Sequence, residues 1–167
     1  MGLGELMAAY GESSEKELLT ACEPLQKLFR RVLQHGYDHK ILKGYRGEIE
    51  QDLSYTQGKS QKKWPSSSHN INPSNAVDAV PWIKKLGSGL EIPWPPRLPF
   101  LSSLSEDQRK DFEKYRKCWM QFAHFAGYVK GVADEMGIPI RLGVDWDSDF
   151  SVIDNSFDDA PHVEIRH

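Results

Sequence analysis

Cysteine is scarce in this chain: two residues, Cys22 and Cys118, in 167. That excludes a disulfide-stapled fold. Both cysteines sit among apolar residues of helical pattern and read as reduced core residues. No apolar run is long enough to span a bilayer, which excludes membrane insertion. Charge of one sign is also lacking. A formal net charge of −3 supplies no basic surface for nucleic acid or for an anionic membrane. The opening "MGLGELMAAYGESSEKE" lacks the charged-then-apolar layout of a secretory signal. Leu6 stands where a myristoylation pattern wants Ser or Thr. The expectation is a monomer that folds in the cytoplasm. What remains is one ordinary domain, residues 1–167, long enough to bury a core without covalent help.

Local patterns sketch the elements. Ser14 with Glu17 fits a capping box ahead of a short helix through "ELLTA". Pro24 suits the first turn of a second helix, with Leu25, Leu28, Phe29, Val32 and Leu33 as its apolar stripe and Gly36 as its end. "HKILKGY" reads as a strand, and "GEIEQDLSYTQG" as a helix closed by Gly58. Residues 59–75 form a polar loop, and "AVDAV" a strand. Residues 87–103 form a proline-rich ordered insertion in which Trp94, Leu98, Phe100 and Leu101 need cover. Ser105 with Gln108 opens the longest helix, whose apolar face runs Phe112, Tyr115, Trp119, Phe122, Ala126, Val129, Ala133, Met136. This stripe reads as core rather than as a cofactor box, and His124, off the stripe, as a surface histidine. "PIRLGVDW" is a strand, then an acidic loop follows, and "HVEIR" is the last strand. Helices, strands, one long helix and more strands make an α+β domain with a small antiparallel sheet.

Asp78 raises a chemical question, because it interrupts an apolar strand. An unpaired carboxylate there costs several kcal/mol, so it needs a cation, a donor or a metal. His69 lies nine residues before it, and His162 opens the final strand. Two imidazoles and one carboxylate form a catalytic zinc set with one position open for water. Zinc brings that water's pKa to about 7 and polarises a carbonyl. Asp159, three residues before His162, is placed to act as general base. Taken singly, each residue also has an ordinary reading as a loop or surface group.

The ordered set "SSSH", "AVDAVPW" and "DAPHVEI" resembles the zinc peptidases that cut peptidoglycan stems. These are the D-Ala-D-Ala carboxypeptidases and the L-alanyl-D-glutamate peptidases of the bacteriophage endolysin branch. "SEKELLTACEPLQKLFRRVLQ", "DHKILKGYRGEIEQDLSYTQGKS" and "IRLGVDWDSD" resemble the upstream and intervening parts of the same branch. The resemblance implies Zn2+ on His69, Asp78 and His162, with Asp159 as the acid/base carboxylate. It implies Arg46 as the cation that stabilises the oxyanion, an arginine's fixed donor fork suiting that task. Ser67 and Gln51 match positions on the substrate side. The implied substrate is the peptidoglycan stem peptide, cut at L-Ala–D-Glu during host lysis. The implied location is the host bacterial cytoplasm until release to the wall. A D-Ala-D-Ala carboxypeptidase and a non-catalytic wall- or protein-binding module are the alternatives.

The chain departs from the family pattern in one loop. Asp78 lies nine positions after His69 where seven is usual, and Asn72-Pro73-Ser74-Asn75 stands in place of the family's glycine. A longer loop costs little entropy, and Pro, Ser and Asn turn readily, so the ligands are expected to meet. Ser68 stands where a lysine is usual. A second cation is expected at Asp145, Asp147 and Asp149, which match positions one, three and five of a calcium loop, with Asp154 nearby. Phe150 and Ser156 break that pattern, and a solvated acidic loop is the competing reading.

Overall fold

The computed structural model describes residues 9–84, 89–95 and 105–167. The architecture is α+β. Helices α1 (Glu12–Leu18) and α2 (Glu23–Gln34) precede strand β1 (His39–Lys43) and helix α3 (Glu48–Thr56). A 3-10 turn (Ser68–Asn70), strand β2 (Ala76–Pro81) and a small hairpin of β3 (Ile83–Lys84) and β4 (Leu90–Glu91) follow. The long helix α4 (Glu106–Glu135) leads to β5 (Ile140–Leu142) and β6 (His162–Ile165). The main sheet has the order β1-β2-β6-β5, and every pairing in it is antiparallel.

The hydrophobic pattern explains most of these elements. Pro24 sits in the first turn of α2, where its missing N–H costs nothing. The stripe Leu25, Leu28, Phe29, Val32 and Leu33 is buried as expected. Gly36, at φ +83°, ends the helix, its N–H bonded to the Leu33 carbonyl at 2.9 Å. Period two does the rest in the sheet. Val77 pairs with Val163 and joins the core, so their neighbours Asp78 and His162, paired directly with each other, face the opposite side. Among the described residues no helix is long and apolar enough to cross a membrane. Cys22 and Cys118 are free thiols.

Three local expectations need correction. Helix α1 starts at Glu12 after Gly11 and has no side-chain cap, because the buried Ser14 hydroxyl accepts the Ile41 N–H at 3.2 Å instead. The α4 stripe is not continuous. Thirty residues span about 45 Å, more than the sheet can cover. Burial therefore starts at Cys118; Phe112 is exposed, while Phe125 and Val132, outside the expected stripe, enter the core. Strand β5 stops at Leu142 because the Gly143 carbonyl accepts from Asp159 N–H at 2.8 Å rather than from a strand partner. In the proline-rich segment, β4 forms a regular hairpin strand and Trp94 packs on Phe122 with ring centroids 5.4 Å apart. Leu98, Phe100, Leu101 and the Gln108 side chain lie outside the described residues.

Candidate metal centre and its cleft

Sheet register brings two of the three expected ligands together, and a turn delivers the third. Asp78 on β2 is the cross-strand partner of His162 on β6. His69 sits in the 3-10 turn, whose N-cap Ser67 accepts the His69 N–H and whose Asn70 side chain accepts the Ser67 N–H. Asn70 also donates to the Arg46 carbonyl at 2.9 Å, and Arg46 N–H donates to the His69 carbonyl at 2.8 Å. The longer loop is tied down by Ser74. Its hydroxyl donates to the Ala76 carbonyl at 2.8 Å, while its backbone bonds to Thr20 and Cys22. The two extra residues therefore leave the ligands free to converge.

Three donor atoms meet at one point. His69 Nε2 lies 3.1 Å from Asp78 Oδ1 and 3.2 Å from His162 Nδ1, and His162 Nδ1 lies 3.3 Å from Asp78 Oδ1. Tetrahedral ligands about 2.0–2.1 Å from an ion lie about 3.3 Å from one another. The tautomers also suit a cation. His69 Nδ1 is 2.6 Å from the Gly44 carbonyl, which can only accept, so that nitrogen carries the proton. His162 Nε2 lies 3.1 Å from the Glu164 carboxylate and donates to it. In the neutral rings, both inner nitrogens and Asp78 are then acceptors with no hydrogen to share. A proton or a metal ion must sit among them, and the nitrogen-and-oxygen donor set fits a borderline ion such as zinc. With a proton in that place, burial lowers the His162 pKa, but Asp78 and Glu164 outweigh it and hold the ring at about 9. Asp78 is held well below the usual carboxylate range despite its burial, by the two histidines.

Around this point lies a cleft of about 680 Å³. Arg46, Asp159, Trp94 and Trp146 are among its walls. Arg46 Nη2 donates to Asp78 Oδ2 at 3.1 Å and Nη1 to Gln51 Oε1 at 3.3 Å. Asp159 lines the cleft beside His162. Burial, with the nearby Asp78 charge, raises its pKa, which suits a carboxyl that must both take and give a proton. Ser67 also lines the cleft. Gln51 does not. It is fully buried behind Arg46 and bonded to Ser60 and Lys62, so it orients the arginine rather than touching a ligand.

The acidic loop comes together in part. Asp145, Asp147 and Asp149 have carboxylate oxygens within 4.8 Å of one another; Asp154 is not in that group and lies on the cleft wall. Both Asp145 oxygens accept backbone N–H groups, from Asp149 at 3.1 Å and Phe150 at 3.2 Å.

Several residues that build the site carried no motif. Gly44 is one. A Cβ there would fall 2.1 Å from Thr20 Oγ1 and 2.4 Å from the Glu17 carbonyl, so only glycine allows β1 to bend and offer its carbonyl to His69. The bend follows a register shift between Ile41 and Lys43. Glu164 is another. Its spacing of two from His162 on a strand was a readable sign that the two share a face.

No family model matches the chain. A curated relative, the L-alanyl-D-glutamate peptidase of Escherichia phage T5, is 29% identical over 160 residues, covering 93% of this chain and 96% of the relative. The crystal structure of Serratia marcescens L-Ala D-Glu endopeptidase ChiX matches with a TM-score of 0.57 at 20% identity, covering 99% of this chain and 96% of that one. The resemblance carried by the sequence motifs is thereby borne out: the chain is similar over nearly its whole length to the phage T5 peptidase, and it shares its α+β fold with ChiX.

Proposed function

We propose that this chain is a zinc peptidase that hydrolyses the L-Ala–D-Glu bond of peptidoglycan stem peptides and serves as a phage endolysin. The convergence of His69, Asp78 and His162 beside Asp159 in an open cleft carries the reading. The names of the similar proteins support the substrate bond.

His69, Asp78 and His162 would hold a zinc ion, which would supply Lewis acidity to polarise the scissile carbonyl and acidify a water. Asp159 removes a proton from the attacking water and returns it to the leaving amine. Its raised pKa supports both halves of that task. Arg46 lines the same space and offers a fixed fork of donors, so it stabilises the negative charge that develops on the carbonyl oxygen. Gln51 and Asp78 hold the guanidinium in place.

The test is mass analysis of the fragments released from defined peptidoglycan, with and without a chelator. New L-alanine carboxyl ends and D-glutamate amines, abolished by the chelator, are the expected result. Release of terminal D-alanine would point to a carboxypeptidase, and no release at all would point to a binding module.

A further inference from the structure

We infer that Glu164 is a positioning residue for the metal site, acting through His162 as part of a closed bracket with Arg141 and Trp146. The inference rests on the metal site of the proposed function. It concerns groups outside the ligand set.

Glu164 is 2% exposed and fully engaged. One carboxylate oxygen, Oε1, accepts from Arg141 Nε at 2.7 Å and also from its Nη2. The other, Oε2, accepts from His162 Nε2 at 3.1 Å and from the Ser68 hydroxyl. Trp146 lies against the His162 ring, centroids 5.3 Å apart and planes tilted by 34°. The Arg141 guanidinium carbon lies 5.5 Å from the centre of the Trp146 ring, which closes the loop of contacts. His162 is thus gripped at its outer nitrogen and on one face. Only its inner nitrogen, Nδ1, is left to the site.

This arrangement has a chemical consequence. A carboxylate that accepts the outer N–H fixes the tautomer, so the lone pair points inward, and it makes the ring a stronger donor. A buried carboxylate would be costly alone; Arg141 supplies the compensating charge. Ser68, which precedes the ligand His69, also ties the His69 turn to β6 through the same carboxylate. One side chain therefore sets the relation between two ligands.

The measurement is zinc affinity of the metal-free, full-length chain, read by competition with a coloured chelator. The visible spectrum of the cobalt-loaded protein is the second readout. Wild type is expected to bind one zinc. Glu164→Ala is expected to lose roughly ten- to a hundredfold in affinity. Glu164→Gln keeps an acceptor and should recover part of the loss. The cobalt bands should shift in both variants, which a purely structural loss of stability would not cause. If Glu164→Ala does not fold, Glu164→Gln and the milder Ser68→Ala decide the matter. Wild-type affinity and an unchanged cobalt spectrum in the variants overturn the positioning role while leaving the peptidase reading standing. A wild-type chain that binds no zinc overturns both.

Discussion

Gly143 and Asp159 are clasped backbone to backbone: Asp159 N–H donates to the Gly143 carbonyl at 2.8 Å, and a Cβ on Gly143 would lie 2.1 Å from the Asp159 carbonyl and 2.9 Å from His162 Cβ. The position where β5 leaves the sheet is therefore also the position that sets Asp159, the proposed acid/base residue, and His162, a proposed ligand. Gly143→Ala is expected to cost about 2 kcal/mol or more, since backbone must move to make room, and to weaken zinc binding. Gly131→Ala, on an exposed turn of α4 with nothing within 4 Å, is the control and should raise stability by up to about 1 kcal/mol. Chemical unfolding of both variants and a zinc titration check this; equal effects at the two glycines would count against the clasp.

Removing a ligand should remove the metal. His162→Ala is expected to lose both zinc and peptidoglycan hydrolysis, because two donors do not hold the ion against water. Elemental analysis of purified wild type and variant makes the comparison. A wild-type chain with no zinc and no gain of activity on adding it contradicts the catalytic reading.

Asp159→Ala separates chemistry from binding. It should keep zinc and fold while losing roughly a hundredfold or more in kcat, the usual worth of general acid/base catalysis. Full activity would move the role elsewhere. Glu164 is a poor substitute, because both its oxygens are already committed.

His39 predicts a pH dependence of stability. The ring is buried between Tyr10 and Phe29, and its Nδ1 donates to the Tyr37 carbonyl at 2.7 Å. Burial lowers its pKa from 6.5 to about 4. Between those values the unfolded chain binds a proton that the folded chain refuses. Stability is then full above pH 6.5 and falls as pH drops towards 4, by about 3 kcal/mol for this group. Urea unfolding of wild type and His39→Gln across that range should give a shallower slope in the variant. Parallel slopes would assign the acid sensitivity to other groups.

The acidic loop can be tested by titration. Clustered carboxylates repel one another without a counter-ion, and Asp145, Asp147 and Asp149 approach within 4.8 Å. Millimolar calcium is expected to raise the Tm of wild type at constant ionic strength and to leave Asp147→Asn unchanged. Flat responses in both proteins rule the second cation out.

Much of this site is legible along the chain. The periodicity of α2, the alternation around Asp78 and the order of His69, Asp78, Asp159 and His162 are local features, and local sterics and burial act on them directly. They suffice for an α+β fold and a candidate ligand set, while the proposed reaction type came from the resemblance that the ordered motifs carry. Sequence does not rank contacts between distant residues, because which backbone atoms touch depends on how the elements pack. Tertiary structure alone decided that Gly44 and Gly143 stand where no Cβ fits, that Gln51 is buried behind Arg46, and that burial along α4 begins only at Cys118 and leaves Phe112 exposed. It also decided that the Glu164 carboxylate joins His162, Arg141 and Ser68, residues brought together only when β6 pairs between β2 and β5. The candidate ligands were readable because metal chemistry restricts residue type. Beyond the two-residue spacing of Glu164 from His162, their supports were not, because any acceptor or small residue in the right place can serve, and that place exists only in the fold.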